Sequence, residues 1–198
     1  ISDKGGNIVA GQPTYLALMS YAEAWGGEIK WVPVDSNKGY DLKKIKESID
    51  QETNMVFIAN PNNPTGTLLN GSSLAKFCED VSKQTLVFCD EAYYDYINES
   101  DYPSMDYLVR QGENVIISRT FSKVYGLAGL RIGYLVLKPE LADQLFGEYS
   151  PYGRPKIMAQ TNVLAVAAAS EALNDDDFYK FSLKKANEEK TKIYKLLD

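Results

Sequence analysis

The residue types that do chemistry gather in a few short stretches of the chain. In "SRTFSKVYGLAGLRIGY", residues 118–134, Lys123 stands among hydroxyls and Arg131 follows further on, both set between apolar and glycine residues. A lysine is seldom fully buried without a partner. An anion, or a group that reacts with an amine, would account for both cations at once. "TLVFCDEAYY" ends its apolar run on the acidic pair Asp90 and Glu91, and "NPNNPTG", residues 60–66, sets Asn63 in a turn rich in proline and glycine.

Each feature has a plain reading beside the chemical one. A lysine in a polar loop is commonly just solvated, and an aspartate at a strand end commonly accepts from the backbone of the next turn. The chemical reading is that a lysine amine kept unprotonated by burial or by nearby cations is a nucleophile for imine formation. Arg131 can pair bidentately with a phosphate, and Thr120 and Ser122 add hydroxyl donors beside it. Together these describe a site for a phosphorylated aldehyde. Asp90 can hold a heterocyclic nitrogen in its protonated form, which makes a pyridine ring an electron sink. Tyr93 could reach the same ring, although it is one of 14 tyrosines, most of them expected in ordinary half-buried packing. The amide of Asn63 can donate to a phenolic oxygen on such a ring, whereas the prolines and glycine around it need only make a tight turn before a helix.

These side chains need a scaffold, and the pattern supplies one. "NIVA" reads as a strand, followed by a helix from Thr14 to about Trp25 and a strand at "EIKWVPV". Asp41 can cap the helix "LKKIKESI", whose Leu42, Ile45 and Ile49 share a face. "MVFIA" is a buried strand, and Asn70 or Ser72 opens a helix that ends near Lys83. "TLVFCDEAYY", "ENVIIS" and "LRIGYLVL" are further strands. Strands separated by helices predict an α/β fold, a mainly parallel sheet with helices on both faces. In such sheets ligands bind beyond the carboxyl ends of the strands. "NPNNPTG", Asp90 and the segment from Ser118 to Lys123 all follow strands, so they are expected at one edge of one sheet. After Pro139 the pattern is helical, and the last stretch has acids first and lysines later, as a helix dipole favours.

Composition narrows the chemistry further. Of 198 residues, 44% are hydrophobic and 24% charged, as in a globular chain of ordinary domain size. A net charge of -6 offers no basic field for nucleic acid. The chain contains no histidine, which excludes Ser-His-Asp and Cys-His arrangements and a histidine-rich metal site; no metal is expected. Cys78 and Cys89 do not suggest a disulfide framework, and Cys89 fits as a small buried hydrophobe. The apolar patch "NVLAVAAASEAL" is far shorter than the ~20 residues of a membrane span. The polar opening "ISDKGGN" has no signal pattern, so a cytoplasmic location is expected. Ile1 in place of methionine, and a last helix without a stop signal, suggest a piece of something longer.

The ordered set "NPNNPTG", "DEAY" and "SRTFSK" followed by "GLAGLRIGY" resembles the fold type I aminotransferases that use pyridoxal 5'-phosphate, nearest to the histidinol-phosphate aminotransferases. The resemblance runs from "QPTY" to the helical end; only "GEYSPYGRPKIMAQTN" matches poorly. It implies the large-domain fold of those enzymes. Lys123 would be the Schiff-base lysine and the base that moves the substrate proton. Asp90 would pair with the pyridine nitrogen, and Asn63 and Tyr93 would bond the phenolic oxygen. Tyr15, in "QPTY", would stack on the ring, while Thr120, Ser122 and Arg131 would hold the phosphate.

The implied reaction moves an amino group from an amine or amino acid, through the cofactor, to a keto acid such as 2-oxoglutarate. The implied assembly is a homodimer. The implied layout is a cofactor-binding core over residues 1–175 and, over 176–198, a helix leading toward a small domain. The family's N-terminal glycine- and serine-bearing turn, its intersubunit tyrosine and its small domain with a carboxylate-gripping arginine have no counterpart here, so the chain alone is not expected to turn over substrate. Two other readings share these motifs: a lyase of the threonine-phosphate decarboxylase type, and a scaffold that keeps the fold without the chemistry.

Overall fold

The computed structural model describes residues 5–146 and 161–197. Six strands, β1 (Asn7–Gln12), β2 (Glu28–Pro33), β3 (Thr53–Ala59), β4 (Leu86–Asp90), β5 (Val115–Thr120) and β6 (Gly133–Val136), form one sheet in the order β2-β1-β3-β4-β5-β6. All neighbours pair in parallel except β5 and β6. The connection between those two strands holds the lysine loop and a short 3-10 turn, Ala128–Leu130, in place of a crossover helix. Without a crossover, β6 can only return antiparallel.

Period-two alternation decides what each face carries. Val9, Val56, Ile58, Val87, Cys89, Val115 and Ile117 point to one face. There they pack against α2 (Leu42–Glu47), α3 (Gly71–Val81) and α4 (Asp106–Arg110), through Ile45, Leu74, Phe77, Val81 and Leu108. Ile8, Ala10, Phe57 and Ala59 point to the other face, where α1 (Ala17–Ala24) supplies Met19 and Ala22. Each fully buried side chain of this size stabilises by about 1.5–3 kcal/mol, so the sheet is held mainly from the first face. The interleaved residues Asp90, Ser118 and Thr120 belong to the second, thinner face.

Caps follow the sequence at α2 and α3. Asp41 accepts from the Lys44 amide at 3.1 Å, and Asn70 accepts from the Ser73 amide at 3.0 Å. The first helix departs from expectation: it begins at Ala17, not Thr14, and Leu16 offers no side-chain cap. The hydroxyl of Thr14 is committed to Tyr40, 2.6 Å away. The strand of "TLVFCDEAYY" also ends early, at Asp90, because Asp90 Oδ1 accepts from the Ala92 amide and turns the chain into the 3-10 helix Tyr94–Tyr96.

Beyond β6 lie α5 (Pro139–Phe146), α6 (Val163–Ala172) and α7 (Asp176–Leu197). The last has Asp176 and Asp177 in its first turn and Lys195 in its last, as the dipole favours. It buries no residue fully, and its start is tied to the 3-10 helix Tyr94–Tyr96 by the Tyr179 hydroxyl, which donates to Asp95 at 3.0 Å. Most of "GEYSPYGRPKIMAQTN" falls outside the described residues. Among the described residues, no helix is long and apolar enough to cross a membrane.

Candidate active site

At the carboxyl ends of β1, β3, β4 and β5 a cavity of about 250 Å³ opens. Its lining includes Tyr15, Asn63, Asp90, Tyr93, Thr120, Ser122, Lys123 and Arg131. Every candidate residue singled out in the sequence therefore meets at one place. Ala59, Pro61, Ala92, Ser118 and Arg119 complete the wall.

Asp90 ends β4 on the thin face of the sheet, in register with Ser118 of β5. Its Oδ1 accepts from the Ser118 hydroxyl at 2.9 Å and from the Ala92 amide at 3.0 Å. Oδ2 takes neither of these bonds, so it can accept from a ligand. Burial pushes the Asp90 carboxyl above its ordinary pKa, against the pull of those two bonds and of the Lys123 charge. A cation placed at Oδ2, such as a protonated ring nitrogen, would reverse that cost.

The "NPNNPTG" loop divides its labour among three asparagines. Asn60 anchors the loop: its amide N–H donates to Asp90 O at 2.9 Å, its side chain donates to Tyr102 Oη at 2.6 Å, and its Oδ1 accepts from the Leu69 amide at 2.9 Å. Asn62 is buried in contacts with Tyr40, Thr14, Pro13 and Thr65. Asn63 alone of the three lines the cavity, with Nδ2 3.5 Å from Tyr93 Oη. That separation exceeds a well-formed bond, so both groups converge on the cavity with donor capacity in hand.

Lys123 lies in the loop after β5, between buried Phe121 and Val124, and is itself exposed to the cavity. The segment is thus not buried throughout, as its apolar content suggested; its two cations sit on the open side. Nζ is 5.0 Å from the centroid of the Tyr93 ring, and among the described residues Lys123 joins no ion pair. Beside it, Thr120 Oγ1 accepts from the Ser122 amide at 3.0 Å, and Ser122 Oγ accepts from Arg131 at 3.4 Å. Both hydroxyls keep their protons for an anion. Arg131 also donates to Ala128 O at 2.9 Å and adopts a left-handed backbone, with φ of 52°. That conformation is uncommon for a residue other than glycine, asparagine or aspartate. The guanidinium is exposed, and with the two hydroxyls it forms a donor set matched to a phosphate.

One element of the wall was not legible beforehand. Arg119 pairs with Glu91 through Nε at 2.9 Å and a terminal nitrogen at 2.6 Å. Glu91 is buried, accepts also from the Met105 amide at 2.8 Å, and takes the Ser104 hydroxyl; the guanidinium lies 4.2 Å above the Tyr94 ring. Burial pushes the Glu91 carboxyl up, opposed by the Arg119 charge. The pair joins the end of β5 to the residue that follows β4, next in the chain to Asp90. The "DE" and "SR" dipeptides carried its only signal, and nothing in their spacing said that they touch.

The profile of the family described as Aminotransferase class I and II matches residues 1–198. A histidinol-phosphate aminotransferase 2 of Bacillus cereus is 39% identical over 174 residues, covering 88% of this chain and 45% of that protein. One from Bacillus licheniformis is 36% identical over 196 residues, covering 99% of this chain and 52% of its own. The crystal structure of a histidinol-phosphate aminotransferase from Sinorhizobium meliloti in complex with pyridoxal-5'-phosphate superposes with a TM-score of 0.85 at 29% identity, over 98% of this chain and 50% of that one. The chain spans about half the length of the curated relatives it matches.

Proposed function

The chain belongs to the aminotransferase class I and II family, and we propose that it forms the cofactor-binding part of a pyridoxal 5'-phosphate-dependent aminotransferase of the histidinol-phosphate type. The observation that supports this is the convergence of eight family-matched residues on one cavity, with a lysine that joins no described ion pair among them. The donor set fits the cofactor: an acceptor for a ring cation at Asp90, donors for a phenolic oxygen at Asn63 and Tyr93, and donors for a phosphate at Thr120, Ser122 and Arg131. When bound, the cofactor supplies the aldehyde that takes up an amino group and the ring that draws electrons from the substrate carbon.

The protein's own residues do the rest. Lys123 Nζ would hold the cofactor at its aldehyde and, once free, would carry the proton at the substrate carbon. Asp90 would accept from the protonated ring nitrogen, and Tyr15 would lie against the ring. Arg131 would hold the phosphate and so orient the cofactor toward Nζ. We assign turnover, with 2-oxoglutarate as the amino acceptor, to the full-length protein, acting as a homodimer in the cytoplasm. Residues 1–175 would form the cofactor core and 176–198 the helix leading onward from it.

The test is to mix the purified chain with pyridoxal 5'-phosphate, reduce with borohydride, and locate the added mass by peptide mapping. A single adduct on Lys123, lost in Lys123→Ala, is the expected result. Diffuse labelling of surface lysines, or none, would refute an assembled site. With the full-length protein, carbon dioxide release without a keto-acid requirement would replace the transaminase reading by a lyase.

A further inference from the structure

The loops that follow β1 and β3 leave the sheet where the strand order reverses, since β1 is flanked by β2 on one side and by β3 on the other. Divergent loops at such a point leave a crevice between them. Here one loop carries Tyr15 and the other Asn63, and both line the cavity. The groups that span the two loops are buried side chains.

Tyr40 comes from a third segment, the connection between β2 and α2. The Cδ1–Cε1 edge of its ring packs against Gly11 of β1, where any Cβ would overlap the ring. Its hydroxyl donates to Asn62 Oδ1 at 2.6 Å and lies 2.6 Å from Thr14 Oγ1. A phenol has one proton to give, so Thr14 is the donor in the second contact. Asn62 Nδ2 donates to Pro13 O at 3.1 Å and to Thr65 Oγ1 at 2.8 Å. A flipped amide would set Oδ1 against the Pro13 carbonyl, which fixes the orientation. Thr14, Tyr40 and Asn62 are each 4–5% exposed, so bulk water does not compete for these bonds. Burial pushes the phenol pKa up to about 12, which keeps the hydroxyl protonated at any ordinary pH.

We propose that Tyr40 is a positioning residue: its hydroxyl, shared between Thr14 and Asn62, holds the Tyr15 and Asn63 loops at a fixed separation and so sets the width of the cleft that receives the cofactor ring. The inference rests on the reading of the cavity given above. It assigns to Tyr40 no contact with the cofactor.

Tyr40→Phe keeps the ring on Gly11 and removes only the hydroxyl; Thr14→Val is a second variant of nearly the same volume. The first readout needs no cofactor. The amides of Asn62 and Gly66 are bonded to Thr67 O and Asn62 O, each at 2.9 Å. Their hydrogen exchange is expected to speed up about tenfold in either variant, the size of one lost buried bond, while the Phe57 amide of β3 keeps the parental rate. The double variant should add little to either single one, because both act through one cluster. The second readout is equilibrium binding of pyridoxal 5'-phosphate and the pH midpoint of its visible absorbance. Affinity is expected to fall about tenfold, and the midpoint to rise as Asn63 loses its hold on the phenolic oxygen.

Unchanged exchange at Asn62 and Gly66 in both variants overturns the proposal. So does faster exchange with unaltered affinity and midpoint, since the loops would then move without widening the cleft. A parental chain that takes up no cofactor refutes the proposed function, and the exchange comparison still decides whether Tyr40 couples the loops.

Discussion

Ser118 Oγ donates to Asp90 Oδ1 at 2.9 Å across the β4–β5 register that sets the two residues side by side. The bond offsets only part of what burial costs the carboxylate, whose pKa stays above its ordinary 3.8. In the cofactor-free chain, ionised Asp90 therefore lowers stability. That cost is absent below the unfolded value of 3.8, where both states are protonated, and complete above the raised folded value. Asp90→Asn is expected to raise the urea midpoint near neutral pH, with the gain shrinking as pH falls toward 3.8. The same variant should bind pyridoxal 5'-phosphate at least about tenfold more weakly, as for a lost charge-assisted bond. A stability gain that is constant with pH would contradict the assignment.

Arg131→Lys keeps the charge but loses the planar fork. If the guanidinium holds the phosphate, affinity for pyridoxal 5'-phosphate should drop about tenfold, while affinity for unphosphorylated pyridoxal stays as it was. Equal losses for both ligands would place Arg131 away from the phosphate.

Glu91→Gln leaves Arg119 without its counter-charge in a largely buried position, where the Glu91 and Arg119 side chains are 5% and 19% exposed. Breaking such a pair from one side costs about 3–5 kcal/mol. Chemical denaturation is expected to show a loss of that order, and the double variant Glu91→Met with Arg119→Met a smaller one. A loss below about 1 kcal/mol, the scale of an exposed pair, would mean that the bridge does not join β4 to β5.

Val163, Leu164 and Val166 are 79%, 74% and 46% exposed on α6. Such a row of apolar side chains favours association over a dispersed monomer. Light scattering is expected to show concentration-dependent self-association of this chain, reduced by Leu164→Lys. A monodisperse monomer would contradict the expectation.

The place of the candidate site was legible because polar residues interrupt apolar strands at their ends, and the order of three such interruptions is informative. Asp90 needed only the period of two and the end of "LVFC" to be placed. What stayed hidden was joined across distance in the chain. Thr14 looked like a helix opener because nothing local revealed that Tyr40, 26 residues on, would take its hydroxyl. Glu91 and Arg119 are 28 residues apart and meet only after β4 and β5 pair. α4 is five residues long, too short for a periodic pattern to register. The antiparallel sense of β6 depended on the length of the loop before it, which is a property of the connection and not of the strand.

The alternation along β4 and β5 also has a consequence for how such a protein can change. Val87, Cys89, Val115 and Ile117 hold the sheet to its helices, while Phe88, Asp90, Ser118 and Thr120 look the other way. Selection on what the cavity binds thus acts on positions that contribute little to the larger core, and selection for stability acts on their neighbours. A lineage can alter what the cavity holds through one set of residues while the other stays fixed, one peptide unit away.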